Sequence, residues 1–109
     1  AQRYLDGIKN PEIILPYVHE DCVPVWHIFA IRTKRRDELE KWLNDHEIGT
    51  NKHYPIPIHM QECYKDMGFK QGDFPIAEEI SATELSLPMF YGMTEEQIQF
   101  VIDTINEFK

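Results

Sequence analysis

A chain of 109 residues carrying a net charge of −8 fits one domain with a modest core. That charge excludes general binding to nucleic acid or to an anionic membrane surface. The longest apolar runs are only a few residues and cannot span a bilayer, and the start, Ala1-Gln2-Arg3-Tyr4-Leu5, lacks the apolar centre of a signal peptide, so the setting read from the sequence is cytoplasmic.

In chain order, residues 1 to about 9 have helical spacing, with Tyr4, Leu5 and Ile8 on one side and an ending at Gly7 to Asn10. Ala1-Gln2-Arg3 offers no capping side chain, as expected either of a chain that begins inside a longer helix or of a ragged end. Ile13-Ile14-Leu15 reads as a short edge strand closed by Pro16. Val25 to Arg32 is almost continuously apolar and predicts a covered strand, with His27 in it as a hydrogen-bonded core histidine. Thr33 is placed to cap a helix whose stripe is Leu39, Trp42 and Leu43. Its opposite face, Arg35 to Lys41, is a mixed charge run that reads as solvated surface. Gly49 fits the left-handed end of that helix, and Thr50 to Tyr54 reads as a second strand.

Past residue 60, Met60 to Met67 predicts a short helix closed by Gly68. Asp73 is placed to cap a further helix with Pro75 in its first turn and Ile76 and Ile80 at near-helical steps. Leu85-Ser86-Leu87-Pro88-Met89-Phe90 reads as a short strand ended by proline. The last helix is the best marked: Thr94 and Gln97 form a capping box, and Ile98, Val101, Ile102, Ile105 and Phe108 share a face. The sum is an α+β two-layer sandwich, a small, mainly antiparallel sheet with helices on one face, occupying residues 1–109 as a single domain.

The run His53-Tyr54-Pro55-Ile56-Pro57-Ile58-His59-Met60-Gln61 carries the chemistry. Two prolines make it extended and stiff, so its imidazoles, phenol and amide are held in place before any ligand arrives. Such a run serves either as a ligand-pocket edge or as a stiff link between a strand and a helix. The two cysteines, Cys22 and Cys63, are too few for a disulfide framework and read as reduced, packed thiols, with Cys63 in the core. A zinc site would have to gather them with His27, His53 or His59, but the spacing of a metal motif is lacking, so no metal is expected.

Taken together, Tyr4-Leu5-Asp6-Gly7-Ile8, Val25 to Arg32, Arg36-Asp37-Glu38-Leu39, Ile48-Gly49-Thr50, the run from His53 to Gln61, Gly72 to Glu79, Leu85-Ser86-Leu87-Pro88 and Met93 to Gln97 resemble the C-terminal domain of the DegT/StrS family. These are pyridoxal-phosphate-dependent nucleotide-sugar aminotransferases of the aspartate aminotransferase fold type, and the likeness is greatest to members that aminate 3-keto sugars on dTDP. The resemblance covers essentially the whole chain. It implies that residues 1–9 are the end of an interdomain helix and that this small domain closes the substrate cleft of a homodimeric enzyme with glutamate as donor. It also implies that a missing large domain binds pyridoxal phosphate and supplies the Schiff-base lysine, leaving no catalytic, cofactor or metal residue here. Lys52, although beside His53, lies in no family lysine motif. By the same resemblance His53 and Tyr54, followed by His59 and Gln61, contact the nucleotide sugar. The chain departs from the family text at Glu47, where glycine is common, and at Tyr91, where proline is common. From the residues alone, a free-standing ligand-binding or regulatory module, or a structural dimerisation domain, stays open.

Overall fold

The computed structural model describes residues 1–109. Helices α1 (Gln2–Gly7), α2 (Arg36–Asp45), α3 (Pro75–Thr83) and α4 (Glu95–Glu107) accompany an antiparallel pair of strands, β1 (Phe29–Arg32) and β2 (Glu84–Leu87). Phe29 pairs with Leu87 and Ile31 with Leu85. Residues directly opposite one another share a sheet face, so these four form an apolar face while Ala30, Arg32, Glu84 and Ser86 form the other. Single antiparallel bridges extend the pair at both edges, Ile14 to Arg32 and Asn51 to Ser86. The edge strand expected at 13–15 and the strand expected at 50–54 are thus one bridge each, because the prolines that follow leave too little backbone free to pair.

The strand expected from Val25 starts only at Phe29. Val25 is 95% exposed and His27 is exposed, so His27 is not a core histidine. Cys22 and Cys63 are likewise exposed and not packed. An apolar run is not evidence of a covered strand unless partners reach it, and β2 is only four residues long.

On the apolar face, Tyr4 and Ile8 of the first helical segment, Leu39 and Leu43 of α2, and Val101, Ile102, Ile105 and Phe108 at the end of the chain join the four strand residues in one core. Gly7 lets α1 cross α4 closely, since a Cβ there would sit 2.7 Å from Ile102 Cδ1. Two asparagines then tie the helix ends together. Asn106 Oδ1 accepts from the Lys9 and Asn10 amides and its Nδ2 donates to Gly7 O, while Asn10 Nδ2 donates to Ile105 O and Phe108 O. Trp42 Nε1 donates to Thr104 O at 2.9 Å, so the last-turn carbonyls of α4 find partners across the core. Tyr4 donates to Pro88 O at 2.7 Å, and burial pushes its phenol up to about 12. At the other end of α4 the capping box forms as expected, Thr94 Oγ1 accepting from Gln97 N and Gln97 Oε1 from Thr94 N.

Three expected caps differ. Thr33 Oγ1 accepts from Arg35 N in a turn before α2, whose N-cap is Arg35. Asp73 does not cap α3; Glu78, one turn inside, reaches back to the Gly72 and Phe74 amides. The left-handed residue after α2 is Glu47 (φ 60°), not Gly49. Glu47 N bonds to Asn44 O and Ile48 N to Leu43 O, the paired bonds of a Schellman ending, with buried Ile48 folding back towards buried Leu43. The charged face of α2 is also less solvated than expected. Arg35 bonds Glu12, Glu38 and Lys109 O, and Arg36, only 14% exposed at its side chain, reaches Ser81 O.

Two stability outcomes follow. Ile102, 2% exposed and wedged over Gly7, should cost about 2–5 kcal/mol on truncation to alanine. A single cooperative denaturant transition, displaced by that amount, is the expected reading of the 109-residue chain; a broad unmodified transition would show that this core does not suffice. Replacing Glu47 by glycine should instead stabilise by about 0.5–1 kcal/mol, because the left-handed cost of a side-chain-bearing residue exceeds glycine's entropic cost. A lower midpoint for E47G would contradict the strain argument.

Candidate functional site

The polar sheet face sets the geometry around the proline-stiffened run. Glu84 and Ser86, two residues apart on β2, point to the same side and are 3% and 5% exposed. Glu84 Oε2 accepts from His53 N at 2.8 Å, Ser86 Oγ donates to Glu84 Oε1, and His53 Nδ1 lies 2.9 Å from Ser86 Oγ. His53 Nε2 is 3.3 Å from Asn51 Nδ2, and Asn51 Oδ1 accepts from Lys52 N at 2.8 Å. The His53–Tyr54 peptide is cis, and the two rings meet edge to face with centroids 5.6 Å apart. Tyr54 is 68% exposed, so its hydroxyl is free for a ligand or a neighbouring surface.

His53 stands in the wall of a cleft of about 300 Å³ with His27, Thr50, Asn51, Ser86 and Met89. The Thr50 hydroxyl is the one buried side-chain polar atom without a hydrogen-bond partner. The oxygen is covered by the chain's own atoms, so it carries a cost in stability inside the wall.

His59 and Gln61 go elsewhere. The chain after Pro57 forms two 3₁₀ turns, Ile58–Met60 and Glu62–Met67, ended by left-handed Gly68. His59 is buried against Phe74 and Phe69, with Nε2 2.9 Å from Glu78 Oε1. It borders a separate apolar hollow of about 410 Å³ with Ile58, Tyr64, Met67 and Phe69. Gln61 Nε2 donates back to Ile56 O at 3.4 Å. Of the four residues singled out in the sequence, only His53 and Tyr54 are brought together. The residues that complete their setting, Glu84, Ser86, Asn51, Thr50 and His27, were not singled out as site residues; the alternation Glu-Leu-Ser-Leu on a strand was the available signal for the first two.

Lys52 turns away from the cleft. Its ammonium is bound by Glu40 at 2.6 Å and Asp37 at 3.4 Å, and the Glu40 hydrogen bond raises its pKa further above the usual lysine range. Imine chemistry needs the opposite, a neutral amine, so Lys52 does not fit a covalent hold on pyridoxal phosphate. No three histidine, cysteine or acidic side chains come together to hold a metal ion. No helix is long and apolar enough to cross a membrane.

Residues 1–106 match the model of the DegT/DnrJ/EryC1/StrS aminotransferase family. The chain belongs to this family. It is 40% identical, over 99% of its length, to the dTDP-3-amino-3,6-dideoxy-alpha-D-galactopyranose transaminase of Aneurinibacillus thermoaerophilus. It is 39% identical, again over 99%, to the dTDP-3-amino-3,4,6-trideoxy-alpha-D-glucose transaminase of Streptomyces venezuelae. Its fold superposes on the crystal structure of S. venezuelae DesV, solved in complex with a ketimine intermediate, with a TM-score of 0.93 at 39% identity over 97% of this chain. The chain spans 29% of the length of each of these proteins. The family is one of aminotransferases, and membership implies use of pyridoxal phosphate.

The loop before α3 offers a pH test. Glu78 is held below the usual carboxylate range, chiefly by the Gly72 amide, with His59 and the Phe74 amide adding to it. A carboxyl with a lower pKa folded than unfolded stabilises the fold above its unfolded value, and that contribution is lost as pH falls through the folded one. The Gly72 amide resonance should therefore titrate with a midpoint below the usual carboxylate range and be flat in E78Q. A Gly72 resonance that ignores pH in the unmodified chain would show that the contact does not hold in solution.

Proposed function

We propose that the chain is the C-terminal small domain of a pyridoxal-phosphate-dependent aminotransferase that acts on a dTDP-linked keto sugar, with glutamate as amino donor, in a cytoplasmic homodimer. The observation that carries this reading is His53 in the wall of a polar cleft, with exposed Tyr54 edge to face beside it, in a chain so close in fold to DesV. The cofactor, when bound by the rest of the protein, supplies the electron sink for amino-group transfer. The small domain closes the substrate cleft, excludes water and offers polar groups to the nucleotide sugar. An imidazole and a phenol suit that task because each combines a polar atom with a ring that can lie on an apolar sugar face. Between Ile56 and Ile80 the chain leaves Ile58, Met67, Phe74 and Ile76 on the surface, and this apolar patch fits coverage by the remaining length of the longer protein.

In the full-length enzyme, H53A or Y54F should lower kcat/KM for the dTDP-linked keto sugar while the fold and the visible spectrum of the bound cofactor stay as they were. A lost hydrogen bond to a desolvated sugar or phosphate oxygen costs about 0.5–3 kcal/mol, roughly twofold to a hundredfold. If both variants keep normal kinetics but melt earlier, the run is a stiff structural link and this reading of it fails.

A further inference from the structure

The hydrogen bonds around His53 decide which of its ring nitrogens carries the proton. Ser86 has one hydroxyl hydrogen, and it goes to Glu84 Oε1, because a carboxylate can only accept. The contact between Ser86 Oγ and His53 Nδ1 then needs the hydrogen from the imidazole. On the other side of the ring, the Lys52 amide donates to Asn51 Oδ1 and so orients that side chain with its NH₂ group towards His53 Nε2. A donor facing Nε2 requires a lone pair there. Both neighbours thus select the same neutral tautomer, with hydrogen on Nδ1 and none on Nε2.

We propose that Glu84 and Ser86 are positioning residues that hold His53 in this tautomer, so that Nε2 is presented to the ligand as an acceptor and takes a sugar hydroxyl instead of the diphosphate. The proposal rests on the reading that His53 faces the nucleotide sugar. A phosphate oxygen is also an acceptor, and two acceptors repel, whereas a hydroxyl can donate. The Asn51 contact, at 3.3 Å, is at the long end of the range for a nitrogen donor and is easily exchanged for a shorter O–H bond. Glu84 acts only through others: one carboxylate oxygen holds the His53 backbone and the other fixes the direction of the Ser86 hydroxyl.

The test uses the full-length protein with ¹⁵N-labelled histidine rings, and binding of dTDP-linked sugar compared with thymidine diphosphate alone. The His53 ring should show a protonated Nδ1 and a bare Nε2. In E84Q the amide can donate to Ser86 Oγ, which frees the serine hydrogen for His53 Nδ1; Asn51 still faces Nε2, so the share of rings with hydrogen on Nδ1 should fall without a full reversal. The same variant should bind dTDP-linked sugar about two- to tenfold more weakly and thymidine diphosphate unchanged. H53A should give the same split between the two ligands. A proton on Nε2 in the unmodified protein, or an E84Q ring pattern that does not change, overturns the assignment of Glu84 and Ser86 whichever residue binds substrate. An equal loss for both ligands in H53A places the imidazole on the diphosphate and overturns the acceptor role. An unchanged sugar affinity in H53A, with the ring pattern as expected, overturns instead the substrate role of His53 and the functional reading beneath it.

Discussion

The Glu84 carboxylate, buried on the polar face of a two-stranded sheet, is the constraint on which the site depends. A carboxylate removed from water is tolerated only when donors replace the lost hydration. Here the donors are a backbone amide and a serine hydroxyl, and the amide belongs to His53. Satisfying the acid therefore anchors the start of the proline-stiffened run at one point, and the two prolines carry that definition to Pro57. Arg36 closes the same end of β2 by reaching the Ser81 carbonyl from α2.

The apolar side of the sheet is made rigid by different means. A strand pair of this size cannot bury enough surface alone. The helices supply the rest, and their ends are joined by side chains that satisfy carbonyls no intrahelical bond can reach. Asn10, Asn106 and Trp42 each do this at the C-terminal end of α1 or α4. Because α1 also donates its tyrosine to Pro88 just beyond β2, the first and last helices fix the sheet edge from which Glu84 and Ser86 project.

The segment from Tyr54 to Ile80 has another character. It contains short 3₁₀ turns and a helix without a buried residue, and it is pinned mainly through Glu78, which gathers His59, Gly72 and Phe74. His59 is thereby committed to an aromatic cluster with Phe69 and Phe74, while His53, six residues earlier in the same run, stays on the polar cleft. Two histidines that look equivalent in sequence are divided by the turn between them.

Patterns carried by local physics were legible in the sequence alone. The capping box at Thr94 and Gln97, the 3.6-residue stripes of α2 and α4 and the α+β class all follow from side-chain chemistry within a few residues, whereas the run expected to be extended from His53 to Gln61 turns into a 3₁₀ segment at Ile58–Met60, past its second proline. The family text was legible for the same reason, being a chain of short motifs in order. What depended on partners far along the chain was not. The strand at Val25 shrank because no neighbour reaches its first half, and His27 went to solvent with it. The left-handed residue fell at Glu47 because burying Ile48 beside Leu43 outweighed the local preference for glycine. The tertiary structure alone decided that Glu84 and Ser86 would meet His53 across 31 and 33 residues, since a buried acid takes whichever donors the fold brings to it.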